Sequence, residues 1–438
     1  MEYSRNNKQD SRPNTQKSMN SRLFDREMDI NFQHKYMNPI NRMQIEREEF
    51  LKNSGDDEFD KRMPMRPEFS INKPIHENTS RKFNREISSY NPYNDYADVN
   101  SDTKLTDSIQ NNRQCINGIN SYGFFLFDNM LNVMDSAFIF SPYLIYSIFA
   151  SLFIASDGNT EIELKNYFSY PRADILSQGL RDINIDADRL KTFGNCIIFP
   201  DEIDYNPQFC KNINMLTKIR KINKNNYNKE TDEINNIIKN LSNLSKKSIS
   251  TESMRNTSIT LLNYGYLNPT WKSYFSECIR RNGIDFMIAH NQVFGYFEQA
   301  GTQVLELASV DGICFGIIYG DMEFNDKTYD MIIGNLKSTI LEEVQIPKLS
   351  LITKLRYTNL LKETDLKTVF LDLKCPYLFQ SECEITDCLQ NLEFHVTEKS
   401  IKSDKINSIR TTRKFIVDKS FRFYVRLTNN TIILLGSY

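Results

Sequence analysis

Histidine is the side chain most often used for acid–base catalysis near neutral pH. This chain has only four, and none lies in a nucleophile or metal-binding motif of known spacing. No glycine-rich phosphate-binding loop occurs either. We therefore expect that the protein is not an enzyme and needs no cofactor. The four histidines are His34, His76, His290 and His395.

One group, Cys383, Cys388 and His395, could be considered as a set of zinc ligands. Its spacing, C-x4-C-x6-H, is not a standard one, and a structural zinc site needs four ligands. Buried free thiols are the more common state of such cysteines. We therefore predict no metal site, and free thiols rather than disulfides for all eight cysteines.

A short basic cluster lies near the C-terminal end, at Arg410, Arg413 and Lys414. It lacks the interleaved aromatic residues of a nucleic-acid-binding stripe, and a solvated loop is its ordinary structure. The net charge of the whole chain is −2, so no overall field attracts nucleic acid. We expect no nucleic-acid partner.

The elements that must position these residues occupy only part of the 438 residues. Residues 1–114 are rich in Asn, Ser and charged side chains, and the first 110 contain eleven Ile, Leu or Val and one Gly. Such a segment buries too little apolar surface to offset the entropy lost on ordering. We predict a disordered polar N-terminal extension over 1–114, with an unknown protein partner, and a folded domain over 115–438.

Targeting signals are not visible in the sequence. The first eight residues lack the apolar core of a secretory signal. The most apolar stretches, 124–127 and 144–155, are too short to span a bilayer. We therefore expect no membrane span and an intracellular location.

Helices are predicted early in the folded part and strands later. Helical spacing covers 115–134, and a buried helix follows Ser141-Pro142, because Ser caps a helix start and Pro suits its first turn. This order predicts an α+β fold with large mixed or antiparallel sheets, because the helices come before the strands and do not alternate with them as β–α–β units. The predicted strands are 193–199, 258–266, 293–296, 303–308, 313–319, 342–346, 394–397, 415–417, 421–427 and 431–435.

Several segments match, in order, the motifs of a known family. The longest is Ile259–Phe275, which is similar to "L-V-N-A-x-Y-F-x-G-x-W-x-x-x-F", and the only Trp of the chain stands at the Trp of that motif. Other matching segments are Ala137–Tyr143, Gly158–Leu164, Asn195–Ile198, Phe294–Leu307, Ile346–Leu349, Phe394–Glu398 and Phe421–Gly436. In these segments the chain resembles the serpins, the serine protease inhibitor family. The resemblance covers about residues 117–438 and implies a serpin-like fold.

The resemblance also implies a mechanism. A protease attacks an exposed reactive loop at about 398–416 and forms an acyl-enzyme, and the cut loop then inserts into the central sheet as a new strand. The native state is held kinetically, and the insertion traps the protease. The partner so implied is a serine protease.

The hinge of this loop departs from the family pattern "E-x-G-T-E-A-A-A-A-T". After Glu398 the chain has Ser400 in place of Gly and Ile401 in place of Thr, followed by Lys402 and Ser403. Side chains alternate along an inserted strand, and either alternate set places at least one charge inward. A buried unpaired charge costs several kcal/mol.

The reactive loop is also short, since Glu398 and Phe421 are only 23 positions apart. If the protein inhibits, the scissile bond lies among Ile409, Arg410, Arg413 and Lys414. Counting forward from Glu398 favours Lys414, whereas counting back from Phe421 favours Ile409 or Arg410. A basic residue there would select trypsin-like proteases.

Two functions therefore stay open. One is a serine protease inhibitor that works by loop cleavage and trapping, and the other is a non-inhibitory serpin-fold protein that binds a partner or serves as a structural component. The Asn-, Ile- and Lys-rich composition is typical of an AT-rich genome, and the long Asn-rich leader resembles serpin-like proteins of giant DNA viruses such as mimivirus. In that setting the location would be the host cytoplasm or the virion.

Overall fold

The computed structural model describes residues 28–29, 104–186, 192–255, 257–381, 383–402 and 412–438. The extension predicted to be disordered lies outside these ranges, apart from 28–29 and 104–114. The first helix begins at Lys104, so it extends into the range assigned to the extension.

Ten α-helices are found in the described part of the chain. They are α1 Lys104–Leu131, α2 Pro142–Ala155, α3 Gly158–Phe168, α4 Ala173–Asp186, α5 Pro207–Ile213, α6 Tyr227–Ser242, α7 Thr251–Arg255, α8 Asp326–Asn335, α9 Thr358–Lys362 and α10 Lys367–Leu371.

The strands of the same residues are β1 Met28–Asp29, β2 Phe138–Phe140, β3 Gly194–Pro200, β4 Lys218–Ile222, β5 Ile259–Leu267, β6 Glu277–Arg281, β7 Ile284–Gln299, β8 Thr302–Ala308, β9 Ile313–Tyr319, β10 Lys337–Pro347, β11 Leu349–Arg356, β12 Ile385–Val396, β13 Lys414–Ile416, β14 Arg422–Leu427 and β15 Ile432–Ser437.

Two mixed sheets organise these strands. Sheet A has the order β1-β11-β12-β5-β3-β4, and sheet B has the order β13-β10-β7-β8-β9-β14-β15-β2 with β6 paired to β7. The predicted α+β fold with large mixed sheets is thereby confirmed. Among the helices just named, none is long and apolar enough to cross a membrane.

The main core lies between the two sheets and is closed by the early helices. Phe315 on β9 packs against Phe394 on β12, with ring centroids 5.4 Å apart. Helix α2 is buried almost all round, and the predicted Ser141 cap is confirmed, because its Oγ accepts a hydrogen bond from the Leu144 N–H at 3.2 Å. A helix this apolar is stable only when it is enclosed by other elements.

The opposite face of sheet A is covered by α6. This amphipathic helix packs Ile234 and Ile238 on a second, smaller apolar cluster that includes Ile198 and Leu262. Its other face is exposed and mostly polar, with Ile237 and Leu241 as its exposed apolar residues. Sheet A is therefore enclosed on both faces where β3, β5 and β12 run side by side.

Candidate functional site

The candidate site is the end of sheet A at which β12 leaves the sheet. Strands β12 and β5 are parallel neighbours, paired without interruption from Asp387↔Thr260 to Phe394↔Leu267. No strand of the described residues lies between them. The segment that follows β12, residues 397–402, contains the predicted hinge residues Glu398, Ser400, Ile401 and Lys402. It starts at the common end of the two strands that an inserted strand would separate.

Trp271 holds this hinge in place. Its side chain is fully buried, and its indole Nε1–H donates to the Thr397 carbonyl at 2.9 Å. Its backbone N–H donates to the Lys399 carbonyl at 2.8 Å, and its carbonyl accepts from the Ile401 N–H at 3.0 Å. Trp271 and Ser400 thus form a parallel β-bridge, which holds the hinge beside the segment that follows β5.

A second contact ties the hinge to Lys348, the residue between β10 and β11. Lys348 Nζ lies 2.7 Å from Glu398 Oε2. The hydrogen bond from Lys348 lowers the pKa of Glu398 below its ordinary value, and the same bond raises the pKa of Lys348. Because nearly half of the Glu398 side chain is exposed, solvent screens this pair, and we treat it as an orienting contact.

Beyond Glu398 the predicted hinge residues reach solvent. Ser400 is half-buried, and its Oγ donates to the Glu398 carbonyl at 2.9 Å and accepts from the Phe275 N–H at 3.3 Å. Ile401 and Lys402 are exposed. Residues 403–411 lie outside the described residues, so Ser403, Ile409 and Arg410 have no described position.

The chain is described again from Thr412, where it approaches sheet B. The Arg413 carbonyl accepts a hydrogen bond from the Glu342 N–H at 2.8 Å. Lys414 is the first residue of β13, which pairs with β10, and its Nζ lies 3.0 Å from Glu343 Oε2 and 3.7 Å from Glu342 Oε1. The hydrogen bond with Glu343 raises the pKa of Lys414. Lys414 is therefore part of a strand.

A buried polar network lies below the β12–β5 junction. Gln390 on β12 accepts from the Ser141 N–H through Oε1 at 2.7 Å, and its Nε2 lies 3.3 Å from Asn263 Oδ1. Asn263 on β5 also accepts from the Tyr357 hydroxyl and donates to Asn195 Oδ1, each at 2.8 Å. All five side chains are buried. These bonds join the two strands to α2 and β3, so separating the strands requires the network to break.

The sequence did not single out this network, and only Asn195 and Asn263 lie within predicted strands. Gln390 looks like a surface residue in a polar stretch, and only tertiary packing shows that it is buried. The sequence signal for the network is that Ser141, Asn195 and Asn263 stand in segments that match the serpin motifs.

The three side chains considered as zinc ligands do not form a site. Cys383 and Cys388 are buried free thiols, and burial raises the pKa of each thiol. His395 instead lies against Glu393, with Nε2 3.7 Å from Oε2. Within the described ranges, no group of three or more His, Cys, Asp or Glu side chains could hold a metal ion.

The chain is similar to one protein family over most of its length. A family model described as Serpin (serine protease inhibitor) matches residues 117–438. No curated protein sequence matches the chain.

Solved structures show the same fold. Serpin48 of the insect Tenebrio molitor, described as a highly specific serpin, is 18% identical with a TM-score of 0.63 over 74% of this chain and 97% of its own. Native protease nexin-1, solved with heparin, is 18% identical with a TM-score of 0.64 over 75% and 99%. The mouse protein-Z dependent protease inhibitor is 16% identical with a TM-score of 0.64 over 75% and 98%.

Proposed function

This chain belongs to the serpin family, and we propose that it inhibits a serine protease through cleavage of the loop after Glu398 and insertion of that loop between β12 and β5. One observation carries the proposal. The hinge begins at the common end of two directly paired parallel strands, which are joined by backbone ladder bonds, the Gln390–Asn263 contact and a hydrogen bond from the Thr386 hydroxyl to the Ile259 carbonyl. A strand inserted there would gain a ladder on both of its edges.

Arg410 is the residue that we propose at the scissile bond, with a trypsin-like protease as the target. A protease binds its substrate as an extended, accessible segment, whereas Lys414 is paired with β10 and held by Glu343. The Arg413 carbonyl is bonded to the Glu342 N–H. Among the four candidates these contacts favour Ile409 and Arg410, and only Arg410 suits an acidic specificity pocket.

The same hinge supports a second function, that of a non-inhibitory serpin-fold protein which binds a partner. Insertion must break the three Trp271 hydrogen bonds and then bury Lys402 and Asp404, or Lys405, inside the sheet. A charge left unpaired there costs several kcal/mol, which reduces the gain from the new ladder. In this alternative the chain is an intracellular or virion component whose loop is cleaved without trapping.

Incubation of the full chain with trypsin distinguishes the two functions. Inhibition predicts a covalent complex that survives SDS and disappears in Arg410→Ala, while the matched control Arg413→Ala still forms it. Insertion also predicts that the cleaved chain melts at least about 10 °C higher than the intact chain, because a new central strand adds several kcal/mol. Clean cleavage with no complex and an unchanged melting temperature would instead establish the non-inhibitory function.

A further inference from the structure

Strand β11 forms the exposed edge of sheet A. One side of β11 pairs with β12 along its whole length, from Leu349↔Val396 to Arg356↔Leu389. On its other side only β1 is described, and β1 covers two residues, with Met28 opposite Leu355 and Asp29 opposite Arg356 in parallel. The backbone N–H and C=O groups of an edge strand are free to pair with a further extended segment.

The two faces of β11 differ in chemistry. Leu349, Leu351 and Leu355 are buried on the core side. Lys354 and Arg356 alternate with them, so they lie on the other face, where a cavity of about 200 Å³ is also lined by Lys247. The β11 edge is therefore apolar toward the core and carries Lys354 and Arg356 on the cavity side. Two of the three basic residues also have an acidic partner, since Lys247 lies 2.9 Å from Asp232 and Arg356 lies 2.7 Å from Asp387.

The roof of the cavity is formed by Ser248 and Ile249, and hydrogen bonds hold their backbone in place. Asn235 of α6 accepts from the Ser248 N–H at 2.7 Å and from the Ile249 N–H at 3.0 Å, and its Nδ2 donates to the Ile249 carbonyl at 2.9 Å. From below, Asn391 Nδ2 donates to the Ser248 carbonyl at 2.8 Å. The roof is thus attached to both the helix and the sheet, which gives the cavity a preformed shape next to the β11 edge.

The N-terminal extension contains a segment of matching pattern. In Phe24-Asp-Arg-Glu-Met-Asp-Ile-Asn-Phe32 the acidic residues Asp25, Glu27 and Asp29 occupy every second position. The positions between them hold Phe24, Arg26, Met28 and Ile30, of which all but Arg26 are apolar. In an extended strand the three acidic residues therefore share one face. Continuing the β1 register by two residues keeps Asp29 opposite Arg356 and brings Glu27 opposite Lys354.

We propose that residues 23–29 of the same chain dock on the β11 edge as an added strand, with their acidic face against Lys354 and Arg356. Three observations carry this inference independently of the proposed function. They are the β1–β11 pairing, the basic cavity beside that pairing and the acidic alternation of the segment. The extension is thereby attached to sheet A, at the strand next to β12.

Hydrogen exchange of the full-length chain, measured by mass spectrometry on peptides that cover 349–356, tests the docking. Glu27→Lys should accelerate exchange of the outward-facing β11 amides by about tenfold, because the added strand is released. Lys354→Glu should have the same effect, and the double variant should restore protection by exchanging the two charges. Glu48→Lys, on the same extension but outside the segment, is the matched control and should leave exchange unchanged.

Arg356 stays unchanged in these variants, because its Nε lies 2.7 Å from the buried carboxylate of Asp387. If Lys354→Glu itself lowers the melting temperature, Glu27→Lys and Asp29→Lys still test the proposal, since both residues lie in the extension. Unchanged β11 exchange in both extension variants would overturn the docking. Protection that rises with protein concentration, together with a dimer on size exclusion, would show that a second copy supplies the strand and would overturn docking within one chain.

Discussion

At the residue scale, sheet B contains a buried ion pair. Arg426 on β14 forms a two-point ion pair with Glu306 on β8, at 2.7 Å from Nη2 and 2.8 Å from Nε. Both side chains are almost fully buried, and the Tyr424 hydroxyl donates to Glu306 at 2.9 Å. The Glu306 carboxylate raises the pKa of Arg426 in spite of the opposing effect of burial.

We expect Arg426→Leu to lower the free energy of unfolding by about 3–5 kcal/mol, because it leaves the Glu306 carboxylate buried and unpaired. Urea unfolding followed by circular dichroism measures the change. The control is Arg172→Leu, which breaks an exposed ion pair with Asp174 and should cost less than about 1 kcal/mol. Equal effects of the two substitutions would show that the buried ion pair stabilises the fold no more than the exposed one.

At the same scale, the Glu393 carboxyl makes the stability of the fold depend on pH. Burial acts to raise the pKa of this carboxyl, but hydrogen bonds with His395 and with the hydroxyl and N–H of Ser245 outweigh it, and the pKa is lowered. A carboxyl with a lowered folded-state pKa stabilises the fold above its unfolded pKa of about 4.5, and this contribution is lost as the pH falls through the folded value.

Between pH 7 and pH 3 we therefore expect the unfolding free energy of the unmodified chain to fall more steeply than that of Glu393→Gln. Urea unfolding at several pH values provides the comparison, and Glu252→Gln on the exposed side of α7 is the control. If the unfolding free energies of the unmodified chain and of Glu393→Gln fall in parallel with pH, the lowered pKa of Glu393 does not contribute to stability as proposed.

At the scale of elements, β12 decides most of what the site can do. The sequence predicted only its last part, 394–397, whereas the strand covers Ile385–Val396. Its polar side chains Asp387, Gln390 and Glu393 lie in buried positions, each with a hydrogen-bond partner. A central strand that carries buried polar groups has no apolar–polar alternation, so periodicity alone could not find it.

The hinge that follows β12 is where a change of composition should change function. We expect the triple variant Lys402→Ala, Asp404→Ala and Lys405→Ala to insert more readily, because it removes the charges that an inserted strand would bury. The measure is the fraction of SDS-stable complex with trypsin, together with the melting temperature of the cleaved chain. Lys399→Ala is the matched control, since Lys399 lies before the residues whose side chains would alternate along the inserted strand.

The fraction of SDS-stable complex and the melting temperature of the cleaved chain should both rise more in the triple variant than in Lys399→Ala. If the triple variant still gives clean cleavage with no rise in melting temperature, the hinge charges are not what limits insertion. The Trp271 bonds or the loop length would then be the limiting feature.

At the scale of the whole molecule, the domain is closed by long-range contacts between distant parts of the chain. Helix α1 buries Ile119 and Phe127 in the main core, and Asn120 binds the Ile432 N–H at 2.9 Å near the C-terminal end. The fold therefore needs both ends of 104–438.

We predict that a chain lacking residues 1–103 keeps its secondary structure and melts within about 4 °C of the full chain, a change of roughly 1 kcal/mol. A chain lacking residues 1–131 should fail to fold, because it loses the buried face of α1. Circular dichroism and thermal melts check both. Loss of structure in the first deletion would move the domain boundary into the extension.

The sequence alone determined the fold class and the family resemblance, because these depend on local signals, and it supplied the hinge as a prediction. The Ser141 cap, the strand patterns of sheet B and the spacing of Asn263, Trp271 and Phe275 can all be recognised without a structure. Composition likewise separated the polar extension from the folded part, because a segment with few apolar residues cannot form a core.

Only the tertiary structure decided how the site is held. The sequence could not show that Trp271 binds three hinge residues, that Glu398 meets Lys348 or that Gln390 bonds to the backbone of Ser141. These partners are 50 to 249 positions apart along the chain. Such contacts arise from the register between β12 and β5 and from the packing of two sheets, and no local pattern encodes them. The same holds for the basic cavity beside β11, which forms only when the roof at 248–249 closes over the edge of the sheet.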